Sequence, residues 1–187
     1  MRRLSNSSPA FTLILFMSAS GGLTLPAADD SEFISVRNQI VSAYQRSIDA
    51  LRRGDADTAL QMDTDDWIST VVGQPPRTKA DLAPYIRRDI ESMKPSPEWK
   101  VEWRPDYEHN GTLSGIQLYD LKIEGKLATV LCLVGSTNEE TTNGKVRSVW
   151  RGSHVRDTWT KTPAGWKRRK HEKLTINERM VDGRPRQ

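Results

Sequence analysis

Hydrophobic positions in the first half of the chain recur at helical spacing. One apolar residue appears every three or four positions, at Ile40, Tyr44, Ile48 and Leu51, with charged and polar residues between them. This spacing gathers the apolar side chains on one face of a helix. Gly54 follows directly and is suited to end that helix, because glycine adopts the left-handed conformation of a helix C-terminus without strain.

Two shorter helices are predicted next. Asp55 can cap a short helix over residues 56–62, and Thr78 can cap a third helix. The apolar face of the third helix is formed by Leu82, Tyr85, Ile86, Ile90 and Met93. Between these helices, residues 67–72 (WISTVV) predict a short strand. Residues 94–97 (KPSP) contain two prolines, which end the third helix.

From Trp99 onward the pattern changes to the alternation of apolar and polar residues that is typical of strands. Five strands are predicted, over residues 99–103, 113–124, 127–136, 146–162 and 166–176. A polar loop over residues 138–144 and a tight turn over residues 163–165 separate the last three strands. Helices come first and antiparallel strands follow, which predicts an α+β fold rather than a chain of βαβ units.

The N-terminus has the three parts of a secretory signal. A positive start precedes an apolar run over residues 10–17, and residues 18–28 are rich in small side chains. A membrane-spanning helix needs about 20 apolar residues, so this run is too short to cross a bilayer. We expect cleavage after Ala27 or Ala28, with small residues near Ser20 as the alternative, and export to the periplasm or out of the cell. The competing interpretation is a mobile N-terminal tail.

The remaining chain has the length of one domain, predicted over residues 29–180, with residues 181–187 as a frayed tail. Cys132 is the only cysteine, so an internal disulfide is excluded and packing must hold the domain together. It lies within an apolar run, which indicates a buried small hydrophobic residue rather than a nucleophile.

The net charge of +4 is unevenly distributed, because basic residues dominate from residue 145 onward. A basic half of a chain can attract nucleic acid or an anionic surface. Alternate residues of a strand face solvent, however, and Lys and Arg are common there. Since export also separates the protein from nucleic acid, neither a nucleic-acid partner nor a membrane span is expected.

Cofactor and metal motifs are missing from the sequence. Its three histidines do not have the spacing of a zinc site. Asp63, Asp65 and Asp66 suggest a calcium loop, but the glycine and the distal glutamate of such a loop do not follow. Since the chain also lacks a glycine-rich phosphate loop and a nucleophile elbow, we expect no cofactor and no metal.

Two segments resemble the nuclear transport factor 2-like superfamily, which includes the SnoaL-like proteins. Residues 40–72 have the superfamily's amphipathic helix, a Gly-Asp pair, a short helix and then acidic residues. Near the other end, a long strand ends in Thr158-Trp159, and a Gly-Trp turn at 165–166 leads into a basic strand. The resemblance covers residues 34–178.

The resemblance implies N-terminal helices packed on a strongly curved antiparallel sheet, forming a cone with an internal pocket. Pockets of this kind favour small ligands. Isomerases, cyclases, epoxide hydrolases, dimerisation modules and binding proteins share this scaffold, so the fold does not give the function. A homodimer formed through the sheet is a further possibility that the resemblance implies.

Ketosteroid isomerase is an enzyme with this scaffold, and the side chains that its mechanism needs can be compared with those of this chain. It needs a carboxylate base, a tyrosine donor and a protonated acid at the oxyanion. The resemblance places the tyrosine at Ser47, one helical turn after Tyr44, and the base at Val71. It places the protonated acid at Asp157. Two of the three side chains are missing, so we do not expect this chemistry.

Asp157 is the main candidate for a pocket residue. Strand alternation gives it the same face as Val155 and Trp159, which predicts that it points inward. In a dry pocket, desolvation would raise the pKa of its carboxyl group. The alternative is an ion pair with Arg151 or with a basic residue of the last strand, such as Lys170.

Five further side chains are candidates for the pocket. Glu172 shares a face with Trp166 in the last predicted strand, which makes it a second candidate acid. His171 matches a histidine frequent in the superfamily only if that strand slips by one residue. Tyr44 is a candidate ligand contact, and Trp67 and Trp159 can stack on an apolar or ring-shaped ligand.

Three hypotheses for the function follow from these patterns. The first is an exported protein that binds a small, partly apolar molecule. The second is an enzyme of the isomerase, cyclase or hydrolase type, in which Asp157 and Glu172 are an acid/base pair. The third is a structural module that dimerises through its sheet.

Overall fold

The computed structural model describes residues 30–106, 113–175 and 178–185. The predicted secretory signal, residues 1–28, lies outside these ranges, so its cleavage and the export of the chain stay predictions. None of the helices within the described ranges has both the length and the apolar character needed to cross a membrane.

Three helices lead the chain: α1 (Asp30–Arg52), α2 (Ala56–Leu60) and α3 (Lys79–Asp89), which continues as a 3₁₀ turn (Ile90–Met93). Acidic residues Asp30 and Glu32 lie in the first turn of α1, where the helix dipole favours negative charge. Gly54 follows α1 with φ 75°, the left-handed conformation that ends a helix. A capping box of Thr78 and Asp81 begins α3, as the predicted cap at Thr78 required.

Nine strands within the described ranges form one sheet. They are β1 (Asp63–Val71), β2 (Arg77–Thr78), β3 (Lys100–Trp103), β4 (Gly115–Glu124), β5 (Leu127–Thr142), β6 (Lys145–Thr162), β7 (Gly165–Lys173), β8 (Glu178–Val181) and β9 (Arg184–Pro185). The order across the sheet is β2-β1-β7-β6-β5-β4-β3. Strand β8 pairs with the first half of β6, beyond the end of β7, and β9 pairs with β8.

The predicted α+β fold with N-terminal helices is confirmed. The sheet differs in two details from the expectation of a strongly curved antiparallel sheet. Pairing is antiparallel in the centre, from β4 to β7, but β1–β7 and β3–β4 are parallel pairs. The sheet is also only moderately curved. Register shifts in the β4–β5 and β6–β7 pairs are β-bulges, which bend a sheet locally.

Two tight hairpins extend the strands beyond their predicted ends. Residues 138–142, predicted as a polar loop, belong to β5, and the chain turns at Asn143-Gly144 with φ 51° and 73°. Residues 181–185, predicted as a frayed tail, form the end of β8 and strand β9 around Asp182-Gly183, with φ 50° and 73°. Asn-Gly and Asp-Gly favour such two-residue turns, because both positions need positive φ.

Helix α1 covers the inner face of the sheet and buries the main core. The cluster includes Val36, Ile40, Tyr44, Ile48, Ile116, Leu118, Val130, Cys132, Val155, Trp159 and Trp166. Burial of each large apolar side chain stabilises the fold by about 1.5–3 kcal/mol. Cys132 is a buried free thiol, and the high pKa that burial gives it keeps it protonated. The interpretation of Cys132 as a small hydrophobic core residue is therefore consistent with its position.

A second cluster lies on the outer face of the sheet. We call it the outer cluster; it consists of Leu113, Leu133, Trp150 and Met180, with Tyr119 packed against it. Gly135 and Gly152 are paired across β5 and β6, and the indole of Trp150 lies directly over them. A Cβ atom at either glycine would overlap the Trp150 ring, so the ring fills the space above the pair.

Candidate functional site

Asp157 lies on the inner face of β6, beneath α1, and is only 1% exposed. Its carboxylate accepts a hydrogen bond from the hydroxyl of Tyr44 at Oδ2. Nδ1 of His171 lies 2.8 Å from Oδ1, and Nη1 of Arg168 lies 3.3 Å from Oδ2. The inward direction that strand alternation predicts for Asp157 is therefore the direction found, with one partner from α1 and two from β7.

Arg168 joins Asp157 to a second buried carboxylate, that of Asp63. Its Nε lies 2.7 Å from Oδ1 of Asp63, and its Nη2 lies 3.3 Å from Oδ2. Two parallel contacts of this kind fix the planar guanidinium against the carboxylate. The centroid of the Trp67 ring lies 5.5 Å from the guanidinium carbon of Arg168, within the range of a cation–π contact. One cation thus neutralises parts of two buried anions.

The charge network determines the protonation of Asp157. Burial alone would raise the pKa of this carboxyl group, but Arg168, His171 and Tyr44 together hold the pKa below its usual value. Asp157 is therefore ionised at neutral pH, and the expectation of a raised pKa in a dry pocket is wrong. Burial, and then the charge of Asp157, raise the pKa of Tyr44 well above its usual range, so its hydroxyl stays a donor.

A β-bulge in β7 decides which side chains reach Asp157. Trp159 pairs with Arg168, whereas the preceding residue of β6 pairs with Lys170, so Arg169 is an extra residue in β7. A shift of one residue moves the following side chains to the other face of the sheet. Arg168 and His171 therefore both face inward, although three positions separate them. This is the one-residue slip on which the candidacy of His171 depended.

Two further expectations, for Glu172 as a pocket acid and for the ion-pair partner of Asp157, differ from the structure. Glu172 lies on the opposite face from the pocket, where Nζ of Lys170 is 2.9 Å from its Oε1. Lys170 is consequently not the partner of Asp157. Arg151, the other predicted partner, contacts Glu140 instead. The ion pair of Asp157 that the sequence left open exists, but it is formed with Arg168.

His171 and Asp157 form a dyad with a defined tautomer. An ionised carboxylate only accepts hydrogen bonds, so Nδ1 of His171 carries the proton that it donates to Asp157. Nη1 of Arg168 lies 3.3 Å from the same nitrogen, and since both groups are donors this contact is not a hydrogen bond. Nε2 of His171 has no hydrogen-bond partner among the described residues. In the neutral imidazole with this tautomer, Nε2 is the acceptor nitrogen.

The first of two chambers lies between the three helices and the inner face of the sheet. We call it the inner chamber; its volume is about 190 Å³. Its apolar walls are formed by Ile48, Leu51, Leu60, Leu82, Ile86, Ile116 and Val134. Its polar end is formed by Tyr44, Asp63, Asp157, Arg168 and His171. An apolar cavity of about 150 Å³ is known to hold benzene, so this chamber has the size for one substituted ring.

A second chamber, which we call the outer chamber, opens beside the first between α3 and strands β1 and β7. Its volume is about 420 Å³. It is lined by Trp67, Ser69, Val71, Gln74, Pro75, Arg77, Leu82, Arg168, His171 and Lys173. Leu82, Arg168 and His171 line both chambers, so the imidazole lies where the two chambers meet.

The two tryptophans proposed for ligand stacking have different positions. Trp67 lines the outer chamber, beside Arg168. Trp159 is fully buried and packs edge-on against Tyr44, with ring centroids 5.0 Å apart. It lines neither chamber, so Trp159 is a core residue and its predicted contact with a ligand is wrong. No cluster of three potential metal ligands exists among the described residues.

Asp63 was not predicted for the site, and Arg168 was predicted only as one of the basic residues of the last strand. The sequence suggests for Asp63 only a calcium loop, which the missing glycine and glutamate exclude, and strand alternation gives Arg168 the same face as Lys170 without selecting either. Asp63 is the first residue of β1 and comes directly after the buried Leu60 and the half-buried Met62 at the end of α2. These apolar neighbours are the sequence signal that could have indicated a buried Asp63. A charged residue so close to buried ones needs a partner of opposite charge.

Comparison with known proteins finds solved structures that are similar to this chain. No protein-family model and no curated protein matches the chain. An NTF2-like protein with a cystatin-like fold from Novosphingobium aromaticivorans superimposes with a TM-score of 0.51 at 22% identity, over 76% of this chain and 83% of that one. A conserved protein from Planctomyces limnophilus gives 0.52 at 13% identity, over 80% and 99%.

A third solved structure, a protein from Kribbella flavida, gives a TM-score of 0.51 at 14% identity, over 78% of this chain and 95% of that one. At such identities a structural likeness shows the fold and not the activity. The chain has the NTF2-like, cystatin-like fold.

Proposed function

We propose that the inner chamber binds a small, largely apolar molecule of about the size of one substituted ring. The observation that carries the proposal is the composition of the chamber, in which apolar walls face a single polar end at His171 and Asp157. Ligand sites in proteins combine apolar walls with a few converging polar groups in this way.

The charges at the polar end are compatible with an apolar ligand, because they are already paired with one another. Arg168 is in contact with both Asp63 and Asp157, and Tyr44 donates to Asp157. The polar atom left for a ligand is Nε2 of His171. We therefore propose that the ligand directs a hydroxyl group or an acidic hydrogen at this nitrogen.

Phenol is a suitable first probe, since it combines one apolar ring with one hydroxyl donor. In an NMR titration, phenol should shift the amide signals of residues that line the inner chamber. Ile86→Trp places a larger ring in the chamber from α3 and should abolish these shifts. Leu127→Trp adds the same ring at an exposed position of β5 and should leave them unchanged. Shifts that persist in Ile86→Trp would contradict the proposal.

A second function, general-base catalysis, is favoured by the His171–Asp157 dyad. Nε2 can remove a proton from a bound molecule, and the ionised Asp157 then stabilises the imidazolium that forms. The predicted acid/base pair of Asp157 and Glu172 is not available, because Glu172 faces away from the chamber. Chemistry of the ketosteroid isomerase type is not supported either, since it needs a protonated acid and Asp157 is ionised.

Proton removal can be measured without knowledge of the natural substrate. Acetophenone in D₂O exchanges the hydrogens next to its carbonyl, and the exchange rate is followed by NMR. The protein should accelerate this exchange, and His171→Gln should lose about 100-fold or more of the acceleration, the usual contribution of a general base. Equal rates with the wild type and His171→Gln, at equal acetophenone binding, would exclude His171 as the base.

We also propose that the chain is exported, because its first 28 residues have a charged start, a short apolar run and a small-residue end. N-terminal sequencing of the protein purified from its native host should find a start between residues 20 and 30. A retained Met1 would contradict export through this segment.

A further inference from the structure

Four neighbouring strands place a row of polar side chains across both chambers. Arg77 on β2 pairs with Ser69 on β1, Ser69 pairs with His171 on β7, and His171 pairs with Asp157 on β6. Paired residues of neighbouring strands point to the same face of a sheet. The row therefore leads from an exposed cation at the sheet edge, past the imidazole, to the buried carboxylate.

The outer chamber is cationic. Its lining contains Arg77 and Lys173 but neither Asp nor Glu. Lys173 is two residues beyond His171 in β7 and so lies on the same face. Neither Arg77 nor Lys173 forms an ion pair with any residue in the described ranges. Arg168 also lines the chamber, but two carboxylates already share its charge.

We propose that the outer chamber binds the anionic group of the ligand whose apolar part fills the inner chamber. The carboxylate of Asp81, whose pKa is held below its usual value by hydrogen bonds from Thr78 and by the nearby charge of Arg77, lies outside the lining of this chamber. Two cations that face one cavity whose lining carries no acid create a positive potential, which favours a carboxylate there. The hydroxyl of Ser69 lies between Arg77 and His171 in the row and is a further donor to such a group. The ligand class is then a small organic acid with one apolar ring.

This proposal rests on the proposed function and makes it more specific. The two chambers meet at Leu82, Arg168 and His171. An acid whose carboxylate lies in the outer chamber and whose ring lies in the inner chamber has its connecting carbons beside His171. The imidazole therefore lies beside the part of the ligand that joins the ring to the carboxylate.

A matched pair of probes separates charge from shape. 3-Phenylpropionate and 3-phenylpropanamide have nearly the same size and ring, but only the first is an anion. In calorimetric titrations at low salt, the wild-type protein should bind the acid about tenfold more tightly than the amide, as expected for two partly exposed cations that act together. At 1 M salt, where the screening length is about 3 Å, most of this preference should disappear.

Variants then show which residues cause the preference for the acid over the amide. The double variant Arg77→Gln/Lys173→Gln should bind acid and amide equally well and keep the affinity of the wild type for the amide. The control Arg88→Gln/Lys122→Gln removes the same total charge from exposed positions outside both chambers and should keep the preference. If both double variants lose it equally, the net charge of the protein is the cause and the local site is excluded.

The failure of this proposal can be told apart from the failure of the proposed function. Equal binding of acid and amide by the wild type, blocked in both cases by Ile86→Trp, would overturn the anionic site and leave the inner chamber as a ligand pocket. Binding of neither probe, together with a negative phenol titration, would overturn both.

Discussion

The two faces of strand β6 bury their large side chains in different ways. On the outer face, Trp150 lies over the paired glycines Gly135 and Gly152 and fills the space above them. On the inner face, Asp157 is held by Tyr44, Arg168 and His171, and two chambers remain beside it. Both Trp150 and Asp157 are almost completely inaccessible to solvent.

Both faces stabilise the fold, and the inner face also carries the main core, but the two chambers in which a ligand can bind lie on the inner face. Apolar side chains gain most when every gap is filled, so the outer cluster is tightly packed. A buried carboxylate instead needs partners at fixed distances and directions, because an unpaired charge in the interior is costly. The helices and strands that provide those partners enclose space which apolar side chains do not fill.

Replacement of the outer tryptophan should have the largest effect on stability. Trp150→Ala removes the largest side chain of the outer cluster and uncovers the glycine pair, which should reduce the free energy of unfolding by about 3–5 kcal/mol. Phenol binding by the refolded variant should not change, since the chambers lie on the other face. A loss below about 1 kcal/mol in urea denaturation would show that the outer cluster is not a packed core.

Removal of the Asp157 charge should cause the second-largest loss of unfolding free energy. Asp157→Asn leaves part of the Arg168 charge without a partner, and breaking a buried pair costs about 3–5 kcal/mol. Because Asp63 remains bound to Arg168, we expect a loss of about 3 kcal/mol. Glu172→Gln is the matched control on the opposite face and should change stability by less than about 0.5 kcal/mol. Unchanged or increased stability of Asp157→Asn would restore the interpretation of a protonated pocket acid.

A smaller loss is expected from Gly152→Ala. The added methyl group would overlap the Trp150 ring and the carbonyl oxygen of Val134, and overpacking of this kind costs about 1–3 kcal/mol. In the Trp150→Ala background the ring is absent, so the same change should cost less. Additive losses in a double-mutant cycle would show that Gly152 and Trp150 are not in contact.

The pH dependence of stability provides the finest distinction between the two faces. The pKa of Asp157 is lower in the folded protein than its unfolded value of about 3.9. The unfolded chain therefore binds the proton first as the pH falls, so the stabilisation is complete above about pH 4 and is lost below it. The difference in unfolding free energy between wild type and Asp157→Asn should shrink over this range. The difference between wild type and Trp150→Ala should not.

Local patterns predicted the elements of the fold well, because helix and strand periodicity are properties of neighbouring residues. The apolar face of α1 and the inward direction of Asp157 both follow from such spacing. The turns at Asn143-Gly144 and Asp182-Gly183 are local as well, and their sequences favour tight hairpins, so the longer β5 and the ordered β8–β9 pair were accessible from the sequence.

The partners of Asp157 were not accessible in the same way. Asp63 and Arg168 are 105 residues apart, and their pairing depends on the parallel contact of β1 with β7. The faces of His171 and Glu172 depend on the bulge at Arg169, and a single extra residue in a strand leaves no periodic signal. Strand alternation therefore placed Glu172 in the pocket and left His171 conditional on a slip.

The dyad of His171 and Asp157 is the centre of the proposed site, and its tautomer can be observed directly. A long-range ¹H–¹⁵N correlation spectrum of the labelled protein at alkaline pH distinguishes protonated from unprotonated imidazole nitrogens. For His171 the structure predicts a protonated Nδ1, hydrogen-bonded to Asp157, and an unprotonated Nε2. A proton on Nε2 and none on Nδ1 would contradict the dyad. It would also contradict the proposal that Nε2 of His171 is the acceptor that faces a ligand.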